Sequence, residues 1–399
     1  MNIWILNHYA GTPEQQVTRS YDIGRELVVK GHRVTIFASS FNEYNFTEMR
    51  LKPGEKSKAE DYDGVRFIWL KTTPYRANEW RRVVNMMSYA WRAFWVGKYF
   101  KERPDVIIGV SVHPLAALSA YILSKFKKSR FFFEVTDLWP QYLVELGRLS
   151  RKSPITWALR VLENFLYNKA ERIIPYWPHV DDYIAELGIS KDKVVWIPHG
   201  VDFSRYEAPK EYDGGVSKTF TIMYLGAHVS FMAMDVILKA AKIVQSEGGN
   251  HIRFVFVGGG AEKPNLQKLA ADIGLHNTAF RDMVPKSEIP KVMDEADALI
   301  WGVKDIPLLQ YGVSTNKVCD YLASGRPIIF AGNPKKNPVE EARAGITVPP
   351  ENPEALAEAI TQLVAMKPEE RIQMGKNGLE YVSKHHDIRV LADRLEGLL

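Results

Sequence analysis

The chain has 399 residues and a globular composition, with 46% hydrophobic and 25% charged residues. This length predicts two domains, because single hydrophobic cores rarely grow so large. The one cysteine, Cys319, excludes a disulfide framework and a cysteine-based zinc site. No signal peptide or apolar run of transmembrane length is recognisable, so we expect a cytoplasmic protein, or one at the inner face of the cell membrane.

The charge is unevenly distributed along the chain. Residues 1–200 hold 29 Lys and Arg against 21 Asp and Glu, whereas residues 201–399 hold 23 against 26. This asymmetry predicts that the basic first half meets an anion, such as a phosphate, a nucleic acid or a lipid surface.

Short apolar runs alternate with helical patterns in the first half. Such runs are typical of strands covered on both faces, and their alternation with helices predicts parallel βαβ units. One helix is expected over Arg19–Lys30, ending at Gly31. The predicted strands are Asn2–Leu6, Arg33–Ala38, Val65–Lys71, Asp105–Ser111, Arg130–Val135, Arg172–Pro175 and Val194–Ile197.

Residues 199–218 are charged and glycine-rich, which predicts a linker before a second α/β domain of about equal size. The predicted strands of this domain are Phe220–Leu225, Ile252–Val257, Ala298–Trp301, Pro327–Ala331 and Ile346–Val348. A last helix is expected over Gly378–Leu399. Its apolar stripe comprises Tyr381, Val382, Ile388, Leu391, Leu395 and Leu398.

Two glycine-containing turns follow strands of the second half. Gly226 and His228 come directly after the first strand, and Gly258, Gly259 and Gly260 follow the next, with Lys263 opening a helix. Ligands of open α/β sheets bind beyond the carboxyl ends of the strands, and glycine turns free backbone N–H groups for an anion. An ordinary strand–turn–helix connection is the alternative for each turn taken alone.

The most informative stretch covers residues 304–331. A polar turn over 312–316 leads into a helix that Ser314 or Thr315 can cap, and a capped helix start is suited to a diphosphate. Asp320 lies one turn further on, where a carboxylate can accept from ribose hydroxyls. The alternative is a capped helix on which Asp320 is a solvated charge.

Residues 312–327 resemble the donor site of retaining glycosyltransferases of family 4, which have the GT-B fold. The closest pattern is that of the WbuB-like branch of bacterial surface-polysaccharide enzymes. Supporting segments, in order, are His8–Ala10, Thr18–Asp22, Gly31–Ala38, Ser111–Pro114 and Glu134–Pro140. Each segment is unspecific alone, whereas their order and spacing over nearly the whole chain are specific.

The resemblance implies an α/β architecture of two doubly wound Rossmann-like domains facing a cleft. The acceptor-side domain would span 1–200, with the C-terminal helix 380–399 crossing back onto it, and the nucleotide-sugar domain would span 201–379. It implies a retaining hexosyl or N-acetylhexosaminyl transferase without a metal cofactor. We expect a UDP-sugar donor and a sugar or polyprenyl-linked acceptor. The expected donor-binding residues are Gly226, His228, Gly258, Gly259, Gly260, Lys263, Met283, Val284, Lys304, Gly312, Val313, Ser314, Thr315, Asn316, Lys317 and Asp320.

Three features depart from the family pattern. The loop 11–17 lacks the glycine pair that often touches the donor phosphates, and the loop 228–234 lacks an Arg and a Lys. The usual pair of glutamates is reduced to Asp320, because Gly312 stands eight residues before it. Lys317, Lys304 or Lys263 would then supply the missing positive charge.

Two residues of the first half are the predicted catalytic groups. His113 follows a strand and precedes Pro114, which places it at the carboxyl edge of the sheet. We expect its imidazole to be exposed and to orient the transferred sugar; burial in the core would indicate a structural role. Asp137 lies beyond the next strand, and its alternative role is to cap the helix containing Tyr142. The histidines and carboxylates show no metal-ligand spacing, so no metal cluster is expected.

Residues 75–103 combine seven Lys and Arg with two Glu and eight aromatic residues. This mixture predicts a peripheral contact with an anionic membrane, although a core-packed helix with a solvated charged face is an equal alternative. Nucleic acid is not an expected partner, since the aromatic residues match no recognition module.

Two other functions remain open from the sequence. A sugar-nucleotide 2-epimerase on the same fold needs carboxylates and histidines around the sugar, and few are predicted there. A non-catalytic nucleotide-sugar-binding or scaffold protein with a decayed site is the other alternative. A dehydrogenase is disfavoured, because no GxGxxG turn follows the first strand.

Overall fold

The computed structural model describes all residues except 16–17, 44, 77–79, 206–209 and 314, and the side chain of Arg205. The described chain divides into two compact units, Met1–Pro198 with Ile388–Leu399, and His199–Asp387. Each unit is built around its own, mainly parallel sheet.

The first unit contains a seven-stranded sheet in the order β5-β6-β2-β1-β7-β8-β9, in which only β5 runs antiparallel to its neighbour. The strands are β1 (Asn2–Leu6), β2 (Arg33–Ser39), the hairpin pair β3 (Phe41–Asn42) and β4 (Thr47–Glu48), β5 (Ser57–Tyr62), β6 (Val65–Leu70), β7 (Val106–Val110), β8 (Arg130–Val135) and β9 (Arg172–Pro175). The helices before the linker are α1 (Arg19–Val29), α2 (Trp80–Tyr99), α3 (Pro114–Lys127), α4 (Gln141–Glu145), α5 (Pro154–Lys169) and α6 (Val180–Glu186).

The second unit contains a fully parallel six-stranded sheet in the order β12-β11-β10-β13-β14-β15. Its strands are β10 (Phe220–Leu225), β11 (Ile252–Val257), β12 (Thr278–Arg281), β13 (Ala298–Gly302), β14 (Ile328–Ala331) and β15 (Gly345–Val348). Its helices are α7 (Met234–Ser246), α8 (Lys263–Asp272), α9 (Ile289–Met293), α10 (Asn316–Ala323), α11 (Pro338–Glu341), α12 (Pro353–Ala365) and α13 (Pro368–His385). The strand order reverses beside β10, and this is where a doubly wound sheet opens a crevice for a ligand.

The predicted strand over Val194–Ile197 is wrong. The segment runs beside β9, and the N–H groups of Val195 and Ile197 donate to the carbonyls of Ile173 and Pro175 at 2.9 and 3.3 Å. The reciprocal bond of a parallel ladder would need an N–H at Pro175, which proline lacks. Only one isolated bridge, between Ile173 and Val194, therefore forms.

The edge strand β5 was not predicted, because its residues are mostly exposed and polar. It pairs with β6 through a tight hairpin at Asp63 and Gly64, both of which have positive φ angles, 51° and 81°. An Asp-Gly pair is a strong hairpin signal, so this strand was recognisable from the turn rather than from hydrophobicity.

The predicted C-terminal helix is two helices. Tyr381 and Val382 end α13 and pack on the core of the second unit. After a break at His386 and Asp387, α14 (Ile388–Glu396) belongs to the first unit. Leu391 and its neighbours Ile388, Ala392 and Leu395 join the first unit's core, which confirms that the end of the chain returns to the N-terminal domain.

Truncation of Leu391 should destabilise the first unit. The side chain is fully buried, so Leu391→Ala leaves a cavity that costs about 2–5 kcal/mol of the free energy of unfolding. Val29→Ala, on the exposed end of α1, is the matched control and should change it by less than about 0.5 kcal/mol. Denaturant unfolding followed by circular dichroism measures both; equal midpoints would show that α14 does not stabilise the unit.

Within the described residues, no helix combines the length and the apolar character that crossing a bilayer requires.

Candidate functional site

Two loops lie against each other at the carboxyl ends of β10 and β11. The N–H of His228 donates to the carbonyl of Gly259 at 2.8 Å, and the carbonyl of His228 accepts from the N–H of Glu262 at 3.1 Å. These bonds hold the loop after β10 directly on the turn that opens α8.

The glycines of these loops are required by the close approach of the two backbones. Gly258 has a φ of 145°, and a Cβ there would lie 2.0 Å from the carbonyl oxygen of Gly226. At Gly260, with a φ of 148°, it would lie 2.3 Å from the carbonyl oxygen of His228. The expected free N–H group is wrong at Gly258, which donates to the carbonyl of Arg281; the N–H of Gly226 likewise donates to the carbonyl of Val257. The reason is that glycine here serves loop-to-loop packing.

The side chain of His228 is fully buried between the two loops. Neither ring nitrogen has a hydrogen-bond partner among the described residues. Burial, helped by the charges of Lys263 and Lys317, lowers the pKa of His228 to about 4. Leaving buried polar atoms unpaired is costly, and a donor contact of this imidazole stays a prediction.

Lys263 is less available than the sequence suggested. Its ammonium donates to the carbonyls of Gly258 and Arg281 at 3.1 and 2.9 Å, and to Asp282 at 2.7 Å. With three acceptors already in place, Lys263 ties the loop after β11 to the end of β12.

Lys317 is the second lysine of the site, and its surroundings differ from those of Lys263. Its Nζ contacts the Tyr224 hydroxyl at 2.6 Å and the Met232 sulfur at 3.5 Å, and lies 3.9 Å from the centre of the Tyr224 ring. Among the described residues, no carboxylate forms an ion pair with it. Burial therefore lowers the pKa of Lys317 well below its ordinary value.

The helix that carries Lys317 is fixed to the sheet by Tyr321. The Tyr321 hydroxyl accepts from the N–H of Leu225 at 2.7 Å and donates to its carbonyl at 3.1 Å. This anchor places the first turn of α10 at the carboxyl end of β10. The N-terminus of α10, with its partial positive charge, and the amine of Lys317 therefore both lie there.

The capping prediction is only partly answered. Ser314 lies outside the described residues. Thr315 occupies the N-cap position of α10, but its side chain makes no capping bond, and its buried Oγ1 has no partner among the described residues.

The other predicted donor contacts are spread around α10 and the neighbouring loops. Gly312 has a φ of 98° and ends the short turn before α10, Val313 is buried, Asn316 is exposed, and Asp320 is half-buried in the second turn of the helix. Met283 is exposed on the loop after β12, Val284 packs partly on the core, and the N–H of Lys304 donates to Phe231 at 3.0 Å. Donor contacts of these residues stay predictions.

In the first unit, His113 and His8 form a buried pair. Their Nε2 and Nδ1 atoms are 2.7 Å apart, and Nδ1 of His113 accepts from the N–H of Ala116 at 3.2 Å, capping α3. Because its Nδ1 is an acceptor, the proton of His113 lies on Nε2 and is donated to His8. Burial lowers the pKa of His113 to about 3.

The expected exposure of His113 is wrong, since only 1% of the residue is accessible. The cause is its position as the N-cap of α3, which turns the imidazole back over the first turn, with the Tyr9 ring edge-on to it at 6.4 Å between ring centres. By the criterion of burial the side chain has a structural role, and a catalytic role would require it to become accessible.

Asp137 lies beyond β8 and is partly buried. It does not cap α4, whose N-cap residue is Pro140 without a side-chain bond. Burial raises the pKa of Asp137 to about 6, opposed by a hydrogen bond from Thr136 at 3.4 Å. A carboxyl group with this pKa is suited to exchange a proton near neutral pH.

Several residues of these sites were missed by sequence reasoning. His8 follows β1, and β1 pairs directly with β7, the strand before His113. Histidines after two paired parallel strands meet at one sheet edge, so this pairing could have been found. Tyr224 and Met232, which contact the amine of Lys317, are marked by no comparable sequence pattern.

The expectation that no side chains could form a metal cluster is wrong for one group. Ligand atoms of His179, Asp181 and Asp182 lie within 4.8 Å of one another at the start of α6. The ammonium of Lys191, at 3.1 Å from Asp181 and 2.6 Å from Asp182, already balances these carboxylates. The helical turn, rather than any motif spacing, brings them together.

Two family models match the chain. Residues 16–200 match the glycosyl transferase 4-like domain, and residues 219–366 match the group 1 glycosyl transferases. One relative is WcaI of Escherichia coli K12, which is named as a colanic acid biosynthesis glycosyl transferase on a provisional basis. It is 20% identical to this chain over 290 residues, which cover 68% of this chain and 69% of WcaI.

Solved structures of similar fold include the sucrose-phosphate synthase of Thermosynechococcus elongatus, with a TM-score of 0.75 at 16% identity over 100% of this chain and 98% of that one. The lipopolysaccharide glycosyltransferase WaaG gives 0.72 at 12% identity, over 100% and 99%. HepE of Anabaena in complex with UDP-glucose gives 0.69 at 13% identity, over 100% and 99%. Two Rossmann-like units with a strand-end site in the second define the GT-B class of glycosyltransferases. The chain belongs to family 4 of these enzymes, the group 1 glycosyl transferases.

Proposed function

We propose that this glycosyltransferase moves a sugar from a UDP-sugar donor to a lipid-linked or surface-polysaccharide precursor, with retention of the anomeric configuration. The observation that carries the proposal is the amine of Lys317, which is partly buried at the start of α10 and has no carboxylate partner among the described residues. A diphosphate would supply the missing negative charge. The ring of His228, which has no hydrogen-bond partner among the described residues, would supply a further polar contact.

In the proposed reaction the second unit holds the nucleotide diphosphate. The glycosidic bond to the phosphate breaks as negative charge builds on the leaving oxygen, which Lys317 and the N-terminus of α10 stabilise. The acceptor oxygen attacks the same face of the sugar, and the leaving phosphate takes the acceptor proton. In this reaction the side chain of Lys317 supplies the positive charge that stabilises the leaving diphosphate. We therefore propose that transfer needs no metal ion.

The finer substrate assignments rest on similarity. HepE binds UDP and UDP-glucose, and WaaG acts in lipopolysaccharide biosynthesis. A hexosyl or N-acetylhexosaminyl unit and a polyprenyl-linked acceptor at the inner face of the membrane fit these relatives and the basic, aromatic segment 75–103. Membership of the WbuB-like branch belongs to the same proposal.

A screen of nucleotide sugars for slow hydrolysis tests this function. We expect one UDP-sugar to release a sugar of unchanged anomeric configuration, as seen by NMR, and the rate to survive a chelator. Release of an epimerised nucleotide sugar without acceptor would instead establish the 2-epimerase. Absence of binding to UDP, GDP or any other nucleotide in calorimetry would favour a scaffold protein with a decayed site.

Asp320→Ala should weaken nucleotide binding. If the carboxylate accepts from the ribose, its loss costs about 1.5–3 kcal/mol of binding free energy, because a charge-assisted hydrogen bond disappears. Isothermal titration calorimetry with UDP measures this. Asp272→Ala, on the exposed side of α8, is the matched control and should leave the affinity unchanged. Equal affinities of the two variants would show that Asp320 does not touch the ribose.

A further inference from the structure

One face of the first unit carries most of the exposed apolar side chains of the chain. Among the described residues, eleven of the eighteen exposed large apolar side chains lie on α2, α3 and α5. On α2, Trp80, Val83, Met87 and Trp91 follow one another at helical spacing, and Trp91 is 65% exposed. The outer face of α2 is therefore an apolar stripe, not the solvated charged face of an ordinary surface helix.

The stripes of the three helices are joined by aromatic contacts. The rings of Phe94 on α2 and Phe126 on α3 lie 5.3 Å apart, and those of Tyr121 on α3 and Phe165 on α5 lie 5.2 Å apart. Trp157 extends the surface along α5 and is 69% exposed. We call this continuous surface of α2, α3 and α5 the three-helix face.

The charge of the three-helix face has one sign. The helices hold eight Lys and Arg but a single acidic residue, Glu163. Glu163 is buried and accepts from the hydroxyls of Tyr167 and Tyr183 at 3.2 and 2.9 Å. It therefore offsets none of the outward positive charge.

The positive groups lie among the aromatic rings. The ammonium of Lys98 is 4.7 Å from the ring centre of Trp95 and 4.9 Å from that of Phe126. A groove of about 600 Å³ beside them is lined by aromatic residues including Trp91 and Tyr99, with Lys56 and Arg92 at its wall. Interleaved aromatic rings and cations match the interface of a bilayer, where apolar chains meet phosphate headgroups.

We propose that the three-helix face docks the enzyme on the surface of an anionic bilayer, with α2 and α5 lying in the interface. This deepens the proposed function, on which it rests for the need to reach a lipid-linked acceptor. A second copy of the chain fits the face less well, because a two-fold dimer would bring two surfaces of the same charge together.

Vesicle co-sedimentation tests the proposal. The full chain should bind vesicles of phosphatidylglycerol and phosphatidylcholine, bind pure phosphatidylcholine weakly, and dissociate at high salt. The double variant Trp91→Glu/Trp157→Glu should lower the partition coefficient about tenfold or more. Val29→Glu places the same charge on an exposed apolar position of α1, and it should bind as the wild type does.

Equal vesicle binding by the double variant and the wild type would overturn the proposal. Failure of the wild-type protein to bind anionic vesicles would also overturn it. A wild-type dimer, seen by light scattering and lost in the double variant, would show instead that the face binds a second copy of the chain. Hydrolysis of the donor in solution should be the same in all three proteins. Loss of hydrolysis in every protein, with vesicle binding intact, would refute the proposed transfer reaction and leave the docking face standing.

Discussion

Replacement of Lys317 by methionine should abolish most of the turnover and at the same time stabilise the free protein. Among the described residues, the amine bonds to a phenol hydroxyl and a thioether, so methionine keeps the packing and removes a partly buried ionisable group. Loss of the group that stabilises the departing diphosphate should lower kcat/KM about 10²–10³-fold. Relief from burying the amine should raise the free energy of unfolding by about 1 kcal/mol.

The pH dependence of this stability gain has a defined sign. The pKa of Lys317 in the folded state lies below its ordinary value of 10.5. Below about pH 10.5 the amine therefore holds its proton less tightly in the folded chain than in the unfolded chain, and this favours unfolding of the wild type. The advantage of Lys317→Met should vanish above about pH 10.5, where the amine is neutral in both states, and should grow as the pH falls.

Denaturant unfolding without nucleotide, at two pH values, measures the effect on stability. Turnover of the donor measures the effect on catalysis. Lys239→Met is the matched control, because Lys239 is exposed and pairs with Asp235 at 3.0 Å on α7. It should alter neither quantity appreciably. A Lys317→Met protein that is less stable than the wild type, or that turns over normally, would contradict the role of an unpaired, phosphate-binding ammonium.

Replacement of His113 by alanine should destabilise the first unit by about 2–4 kcal/mol. Two interactions are lost together: the capping bond to the N–H of Ala116, which keeps its 3.1 Å bond to the backbone carbonyl of residue 113, and the bond that leaves Nδ1 of His8 unpaired. A lost cap costs about 1 kcal/mol, and a buried group left unpaired costs about 1–3 kcal/mol. Thermal unfolding of the two proteins measures the difference.

The variant His113→Asn separates structure from catalysis, because asparagine is a good N-cap and should recover about 1 kcal/mol. If His113 also orients the sugar, this variant should fold, bind UDP within a few-fold of the wild type and turn over about 10²-fold more slowly. Normal turnover by a folded His113→Asn enzyme would leave His113 as a structural residue of α3.

The alternation of apolar runs and helices was enough to predict the two α/β domains. Strands such as β1, β8, β10 and β11 were predicted with their observed bounds, because a strand covered on both faces is apolar along its whole length. The edge strand β5 and the end of α13 were not predicted. Local hydrophobicity indicates neither the pairing of an exposed strand nor the point at which the chain passes from one unit's core to the other's. Resemblance in residues 312–327 predicted the family, which the family models confirm.

The chemistry of individual residues depended on tertiary contacts. By itself the sequence determined that glycines, His228 and Lys317 stand at strand ends and helix starts of the second domain, because these positions follow from chain order. Only the folded structure decided that Lys263 is already paired while Lys317 has no carboxylate partner among the described residues. Likewise, it decided that His113 is buried against His8. Burial and pairing are set by residues far apart in the chain, and they fix whether a side chain is charged, satisfied or free to meet a substrate.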